Sequence, residues 1–568
     1  MIVLGINPGH NSTAALFKDG KIVAMVSEEK FSRIKNYLGM PYKSIDYCLD
    51  YAKITKNDVD LVVIAGTNPR SQMLNITANG LESPVSSERG FMASLSSAVP
   101  KSVINVYSDF KWKNKSSEIK QMHADKLGFP IEKIEFLDHH TAHALSCAFN
   151  IKPNTLVLTL DGEGDGYCGT VSVFDGKNLN FISKTSQDHS LGLLYMYVTI
   201  YLGMKPNEHE FKVMGLEPYA KGERINECKK VFDELIWLKE NSLEFDSKMN
   251  IHECLPYLYE KLRKYRFDYV AAAVQRKTEE LVTEWVKRAI KTTGLNHVAV
   301  SGGVFMNVKV NMLVNELPEV EDLFICPSPG DESLPFGCIY YGVKKLNESQ
   351  SVEPLARLYL GPEYSNDYVK NVLSNDKRLS NYKIEYHEDI ESVIADLLAN
   401  GKIVARMKGR CEWGARALGN RSIIADPRNL DIVKIINEQI KSRDFWMPFA
   451  PSMLADKSDK YLINPKHSFA PWMIIAFNTK PQAKIDIPAA LHAYDLSARP
   501  QFVTKELNPE YYKIISLFES KTGISGVLNT SFNLHGEPIV CSPEDAIHTF
   551  LDSGLEYVAI ENYLLSKQ

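Results

Sequence analysis

A chain of 568 residues exceeds what one hydrophobic core organises, and at 44% hydrophobic and 24% charged residues it can build two or more well-packed domains. A formal net charge of -5 and a pI near 6.3 exclude a surface made mainly for nucleic acid, while leaving room for a local basic pocket that takes a small anion. The nine cysteines are scattered without a CxxC pair, as reduced buried thiols of a cytoplasmic protein would be; with no basic leader and no uncharged run approaching ~18 residues, neither export nor membrane insertion is expected.

Residues 2 to 6 are an apolar run ending at Asn7-Pro8-Gly9-His10-Asn11-Ser12, followed by Ala14 to Phe17, a turn at Asp19-Gly20, and Ile22 to Val26. This predicts strand, polar loop, strand, Asp-Gly hairpin, strand. The pattern recurs with a strand at 155 to 160, a polar loop at 161 to 166, a strand at 169 to 174, a turn at Asp175-Gly176 and a strand at 179 to 183. Two copies of one unit predict an internally duplicated α/β fold with a cleft between its halves, built like the actin-like, sugar-kinase-like phosphotransferases. There the two polar loops face each other across nucleotide, so His10 is expected near Asp161.

Between the copies lies Leu137-Asp138-His139-His140-Thr141-Ala142-His143. If Asp138 caps a helix running on through Phe149, His139 and His143 share a face one turn apart, where two imidazoles can hold one metal. Paired histidines can also simply cap or pack under a helix. The strand-end Asp161 completes a two-imidazole, one-carboxylate set suited to iron(II) or zinc, and His140 points about 100° away as a neighbour.

Further along, Glu210 and Lys212 alternate, so on an extended stretch they share a face and could contact an acceptor or a phosphate, or form a solvated ion pair. Residues 221 to 265 are charge-rich and helical in pattern, an insertion over the cleft, and Gln275 to Ala289 reads as an amphipathic helix. Val298 to Val300 lead into Ser301-Gly302-Gly303-Val304-Phe305-Met306-Asn307, a strand entering a glycine pair and a helix, where backbone amides can approach phosphate or ribose. Its companion, Phe324 to Glu332, ends in a Gly-Asp turn that offers Asp331 as a fourth metal ligand.

The polar stretch Lys344 to Glu353 separates domains at 1–346 and 354–568. The second carries cations beside small polar residues in four stretches: Gly409 to Ile423, with Arg416; Lys441 to Pro451, with Arg443; Ser497 to Gln501, with Arg499; and Val527 to Asn533, with Asn529 and Ser531. Each alone suits a surface salt bridge or turn; together they suit a small anionic ligand.

Taken together, HNSTAAL at 10 to 16, SEEKFSRIKN at 27 to 36, HHTAHA at 139 to 144, LTLDGEGDG at 158 to 166, EFKVMGL at 210 to 216, SGGVFMN at 301 to 307, GDES at 330 to 333, EWGARALGNRSIIADPR at 412 to 428, ARPQFV at 498 to 503 and NTSFNLHGEPIV at 529 to 540 resemble the O-carbamoyltransferases of the NodU/CmcH type. The resemblance covers nearly the whole chain. It implies an actin-like domain similar to the tRNA threonylcarbamoyladenosine enzyme, joined to an α+β YrdC-like domain. In such enzymes carbamoyl phosphate and ATP, with Mg, form carbamoyl-adenylate in the second domain, and the first transfers the carbamoyl group to a small hydroxylated acceptor such as a natural product or sugar.

By motif, His139, His143, Asp161 and Asp331 would hold iron(II) or a similar divalent metal, and His10 would be the general base. Arg416, Lys441, Arg443, Arg499, Asn529 and Ser531 would bind carbamoyl phosphate and ATP. Gly302, Gly303, Asn307 and Lys212 are expected at the nucleotide and Glu210 at the acceptor. Nucleic acid and membrane are not expected as partners, and a homodimer is left open. Two positions depart from the pattern. Met447 stands where the family has an arginine, so either Arg443 or another cation supplies that charge, or the enzyme adenylates a different small acyl or amidino-like donor. Asn11 follows His10 where many members have aspartate. A nucleotide-binding or tRNA-modification scaffold without transfer chemistry is the alternative of another class.

Overall fold

A computed structural model describes residues 1–68, 71–72, 79–81, 116–441, 443–444 and 446–567. Its first part holds two five-stranded sheets. One is made of β1 (Ile2–Asn7), β2 (Thr13–Lys18), β3 (Lys21–Ser27), β4 (Leu61–Ala65) and β5 (Ile134–Leu137), in the order β3-β2-β1-β4-β5. The other is made of β6 (Thr155–Gly164), β7 (Tyr167–Phe174), β8 (Leu179–Ser186), β9 (His297–Ser301) and β10 (Asp322–Ile325), in the order β8-β7-β6-β9-β10. Every pairing has its twin: β1 runs antiparallel to β2 and parallel to β4, as β6 does to β7 and β9. This is the duplicated actin-like α/β fold that the repeated hairpin predicts. In the first hairpin Asp19 and Gly20 both take positive φ, 53° and 92°, which matches the strand twist across a two-residue turn.

The halves meet through two helices, α1 (His139–Ser146) and the later Leu334–Leu346. At Gly337 of the latter a Cβ would stand 1.9 Å from the carbonyl oxygen of Ala142, so only glycine permits the crossing. α1 is thereby pressed against the element that follows the Asp331 turn. Phe149, Phe336, Tyr340 and Trp413 cluster around this contact, carrying the core from the first sheet to the second domain.

Three local expectations change. β6 continues through Asp161 to Gly164 across a register shift against β7, so Asp161 lies on an irregular strand rather than in the loop beyond its end. Glu210 and Lys212 lie on α2 (Glu210–Leu216), where a two-residue spacing separates them by about 200°; they share no face. The insertion is helical only at its ends, Arg224–Asp233 and Leu255–Leu262, with a hairpin of Ile236–Leu238 and Phe245–Ser247 between. The hairpin is anchored on α3 (Phe267–Thr293): Trp285 is fully buried against Phe245 and donates its indole N–H to the Leu243 carbonyl at 2.8 Å. α4 (Val308–Glu316) follows the glycine pair, and Leu334–Leu346 is α5.

From residue 354 the architecture is α+β. An eight-stranded mixed sheet is formed by β11 (Lys383–Tyr386), β12 (Val404–Met407), β13 (Arg421–Ala425), β14 (Ala450–Leu454), β15 (Gln501–Val503), β16 (Gly526–Ser531), β17 (Tyr557–Ile560) and β18 (Tyr563–Ser566), ordered β11-β18-β17-β12-β13-β16-β14-β15. The connecting segment lies on the first part: the Glu353 amide donates to the Gly20 carbonyl at 2.9 Å, and Asn150 and Leu355 exchange two hydrogen bonds. No helix of the described residues is long and apolar enough to cross a membrane.

Candidate active site

Asp138 caps α1, its carboxylate accepting from the Thr141 amide at 2.8 Å and the Thr141 hydroxyl at 2.7 Å. The cap fixes the first turn and puts His139 and His143 on one face. His139 Nε2 lies 3.3 Å from Asp161 Oδ2 and 3.6 Å from Asp331 Oδ1; His143 Nε2 lies 3.9 and 3.4 Å from the same oxygens. One donor atom from each of the four residues falls within 4.8 Å of the others.

Neighbouring groups hold these donors in place. The Gly303 amide donates to Asp161 Oδ1 at 2.7 Å, leaving Oδ2 toward the histidines; a side chain at Gly303 would run into Oδ1. Asp165 accepts from the amides of His139, Thr67 and Asn68 at 2.8–2.9 Å and anchors the start of α1. His140 is a structural neighbour, as expected: it bonds Thr159 at 2.8 Å and the Tyr167 carbonyl at 3.0 Å, and burial pushes its pKa down to about 3.

The electrostatics fit a cation. His143 is fully buried and its Nε2 has no hydrogen-bond partner. Burial opposes the imidazolium of His139, but Asp331 and Asp161 outweigh it and raise its pKa to about 9. Two carboxylates focused on two imidazoles thus stabilise positive charge at one point, and a divalent metal is the ion this donor set suits.

The first polar loop reaches the same point. The Asn7 side-chain amide donates to the His10 carbonyl at 2.8 Å and the Asp331 carbonyl at 3.0 Å, and His10 Nδ1 is buried without a partner. Asn11 donates to Glu332 Oε2 at 3.3 Å, so an amide faces a carboxylate where aspartate would repel it. Burial raises Glu332 to about 7, against a short hydrogen bond from the Ser328 hydroxyl.

Ser328 also accepts from the Ala415 amide of the second domain at 3.2 Å, setting Arg416 beside the metal-site turn. Burial lowers Arg416 to about 10, with Glu332 acting in the opposite direction. Arg416 and Arg443 both depress Arg499, after burial, and Arg443 depresses Lys441. Buried Arg416 Nε and Arg443 Nη2 have no partners. Lys441 is held by the Ser531 carbonyl, by Ser531 Oγ at 3.0 Å and by Asn533 Oδ1 at 2.6 Å. Four cations come together with donors to spare, a set chemically suited to an anion, and Arg443 lies 4.3 Å from the Phe449 ring, while Met447 is buried. Ser442 and Phe445 of this stretch lie outside the described residues.

Other expected residues have different neighbours. Asn307 caps α4 and exchanges hydrogen bonds with Gln275 of α3. Gly302, at φ 104°, passes against the Leu160 carbonyl. Asn529 spends its amide hydrogens on Ala417, Ser452 and Gln501, keeping only Oδ1 free of a partner. Lys212 pairs across the seam with Asp444 at 3.0 Å, and Glu210 accepts from the Asn207 amide with its pKa raised by burial to about 7. Sequence reasoning missed Asp165, Glu332, Asn533 and Asp444, although all four sit inside stretches already singled out; for the three acidic residues their charge was the available signal.

Residues 2–338 match the family model for the carbamoyltransferase N-terminus and residues 395–567 that for the carbamoyltransferase C-terminus. The chain belongs to the carbamoyltransferase family. It is 31% identical to the uncharacterized protein MJ1051 of Methanocaldococcus jannaschii over the whole of both chains. It is 29% identical to nodulation protein NolNO of Sinorhizobium fredii, over 98% of this chain and 79% of that one. Among solved structures, full-length HypF in its phosphate- and nucleotide-bound form aligns with a TM-score of 0.34 at 14% identity, over 62% of this chain and 56% of that one. A ROK hexokinase from Thermus thermophilus aligns with a TM-score of 0.30 at 15% identity, over 61% of this chain and all of that one. The family makes this carbamoyltransferase an enzyme of group transfer.

Proposed function

We propose that this carbamoyltransferase works in two steps, adenylate formation in residues 354–568 and transfer in residues 1–346. In the first step water releases carbamate and phosphate from carbamoyl phosphate. A carbamate oxygen then attacks the α-phosphorus of ATP, whose bond to the β-phosphate oxygen breaks, giving carbamoyl-adenylate and pyrophosphate. Arg416, Lys441, Arg443 and Arg499 bind the phosphoryl oxygens and, with Mg, offset their charge; Ser531 and Asn533 orient Lys441 and Asn529 offers its free carbonyl. The juxtaposed arginines with unpaired donors carry this reading.

In the second step the hydroxyl (or amine) of a small natural product or sugar attacks the carbamoyl carbon, and AMP leaves. His10 takes the acceptor proton on its imidazole. His139, His143, Asp161 and Asp331 would hold iron(II) or a similar divalent ion, which would supply Lewis-acid charge for the transfer step. Gly302 and Gly303 admit the adenylate to the Asp161 turn, and Glu210 lines the acceptor side.

The test is pyrophosphate release by purified protein with ATP, Mg²⁺ and carbamoyl phosphate, each omitted in turn. Release that requires carbamoyl phosphate is the expected result. Silence with carbamoyl phosphate alongside release with another small acyl or amidino-like donor would overturn the donor assignment and return attention to Met447.

A further inference from the structure

Two of the four cations in the second domain are held by partners of their own. Lys441 is fixed by Ser531 and Asn533, and Arg443 by Asn437 at 2.6 Å and the Phe449 ring. Arg416 and Arg499 differ: among the described residues neither guanidinium makes a hydrogen bond or an ion pair, and Arg416 Nε is buried without a partner. Their places are set by the backbone they hang from. Arg499 is carried by the run into β15, which pairs with β14 at Gln501. Arg416 has no strand under it, only the loop between β12 and β13.

That loop is closed by Glu412. The Cys411 and Trp413 amides donate to the Pro362 and Leu358 carbonyls at 2.8 and 2.7 Å, so the chain is fixed where it sets out. It leaves at Gly414, at φ 100°, and on its return Glu412 Oε1 accepts from the amides of Leu418 at 2.7 Å, Asn420 at 3.2 Å and Arg421 at 3.1 Å. One side chain at the start of the loop thus ties the backbone at its end. The carbonyls of the returning chain go to other side chains: Ala417 to Asn529 at 3.1 Å, Leu418 to Tyr359 and Gln501 at 2.8 Å each, and Gly419 to Arg406. At Gly419 a Cβ would stand 2.3 Å from the Tyr511 ring, so the chain has no room to shift.

Glu412 is 1% exposed, forms no ion pair among the described residues, and leaves Oε2 without a partner. Burying a carboxylate without a cation is costly. What the burial secures is three charge-assisted bonds from one stretch of backbone to one oxygen, and hence the shape of the loop.

We infer that Glu412 is a positioning residue for Arg416, closing the loop so that this guanidinium meets a phosphoryl group together with Arg443, Arg499 and Lys441. The inference rests on the reading of these cations as the phosphoryl-binding set and deepens it, by naming what holds the one cation that neither a strand nor a side-chain partner holds.

The experiment uses the full chain and inorganic pyrophosphate as the probe, measured by calorimetry with wild type, R416A, E412A, E412Q and the double variant E412A/R416A. R416A is expected to weaken pyrophosphate about tenfold or more and sets the scale. E412A should come within about threefold of that loss, although Glu412 is an anion whose removal would by charge alone favour pyrophosphate. E412Q, whose amide oxygen can accept the same three N–H groups less strongly, should recover most of the affinity. The double variant should be no weaker than R416A by more than about twofold, because a residue that acts through Arg416 has nothing to act on once Arg416 is gone.

Wild-type affinity in E412A beside a weakened R416A would overturn the inference alone, as would losses that multiply in the double variant, since a residue serving only the fold lowers the melting temperature without this dependence on Arg416. Wild-type affinity in R416A would overturn the parent reading, and the inference with it. Where E412A does not fold, E412Q decides in the same cycle: affinity about threefold weaker alone and no weaker in the R416A background supports the inference, and wild-type affinity overturns it.

Discussion

At the scale of single residues, the two sites separate by what each side chain would forfeit. His143 has no hydrogen-bond partner at Nε2 and no exposure, so burying that nitrogen costs desolvation that a cation or a proton offsets. H143A and H139A are expected to lower bound metal, measured by elemental analysis, from near one per chain to below about a tenth, and to abolish carbamoyl transfer. Pyrophosphate release should persist in both, because the proposed scheme places it in residues 354–568; a parallel loss would refute the division of labour. At the second site, Arg443 has one guanidinium nitrogen on Asn437 at 2.6 Å and another unpaired. Losing one charge-assisted contact costs ~1.5–3 kcal/mol, so R443A should raise the KM for carbamoyl phosphate by about 10- to 100-fold. A KM unmoved by R443A would mean that the charge missing at Met447 is supplied elsewhere.

At the scale of elements, α3 shows a cost built into the scaffold. Glu279, half-buried on it, accepts from Gln275 at 2.8 Å, and burial raises its pKa to about 7. A carboxyl whose pKa is raised by folding holds its proton longer in the native state. The penalty is therefore absent below about pH 4.5, grows as pH rises towards 7 and is complete above it. E279Q keeps an acceptor for Gln275 and should stabilise the protein at pH 8 by on the order of 1–2 kcal/mol, but not at pH 4.5. Urea midpoints at the two pH values check the sign, and equal shifts at both would mean that packing rather than charge had changed. The elements themselves were legible in the sequence to different depths. Period-two runs flanking Asp19-Gly20 and Asp175-Gly176 gave both hairpins and, through their repetition, the duplication, because turn chemistry and alternation are local. Glu210 to Leu216 misled because seven residues carry too little periodicity to tell helix from strand. That His139, His143, Asp161 and Asp331 converge was readable since one helix turn, the apolar run into Asp161 and the Gly330-Asp331 turn fix them; the pairing of Asp444 was not, since its partner Lys212 lies more than two hundred residues away.

At the scale of the whole molecule, two arginines lock the domains by backbone contacts that no spacing in the sequence announces. Arg33 of the first domain donates to the Ile539 and Pro538 carbonyls at 3.0 and 2.9 Å and pairs with Asp545 at 3.4 Å. Arg410 of the second returns the grip: it donates to the Val23 carbonyl at 3.0 Å, Tyr47 at 3.3 Å and the Leu360 carbonyl, and lies 4.1 Å from the Tyr51 ring. Removing Arg410 leaves several half-buried oxygens without their donor, at a cost of roughly 2–4 kcal/mol. Because these contacts belong to the seam and not to either core, that cost falls on domain docking. The double variant R33A/R410A is therefore expected to split a shared unfolding transition into two in calorimetry. In the proposed two-step scheme an opened seam would also expose the mixed anhydride to water between the two sites, so carbamoylated product per pyrophosphate released should fall while pyrophosphate release itself declines less. A single cooperative transition with an unchanged product ratio would mean that the apolar contact around Phe336 and Trp413 holds the domains together without the arginines.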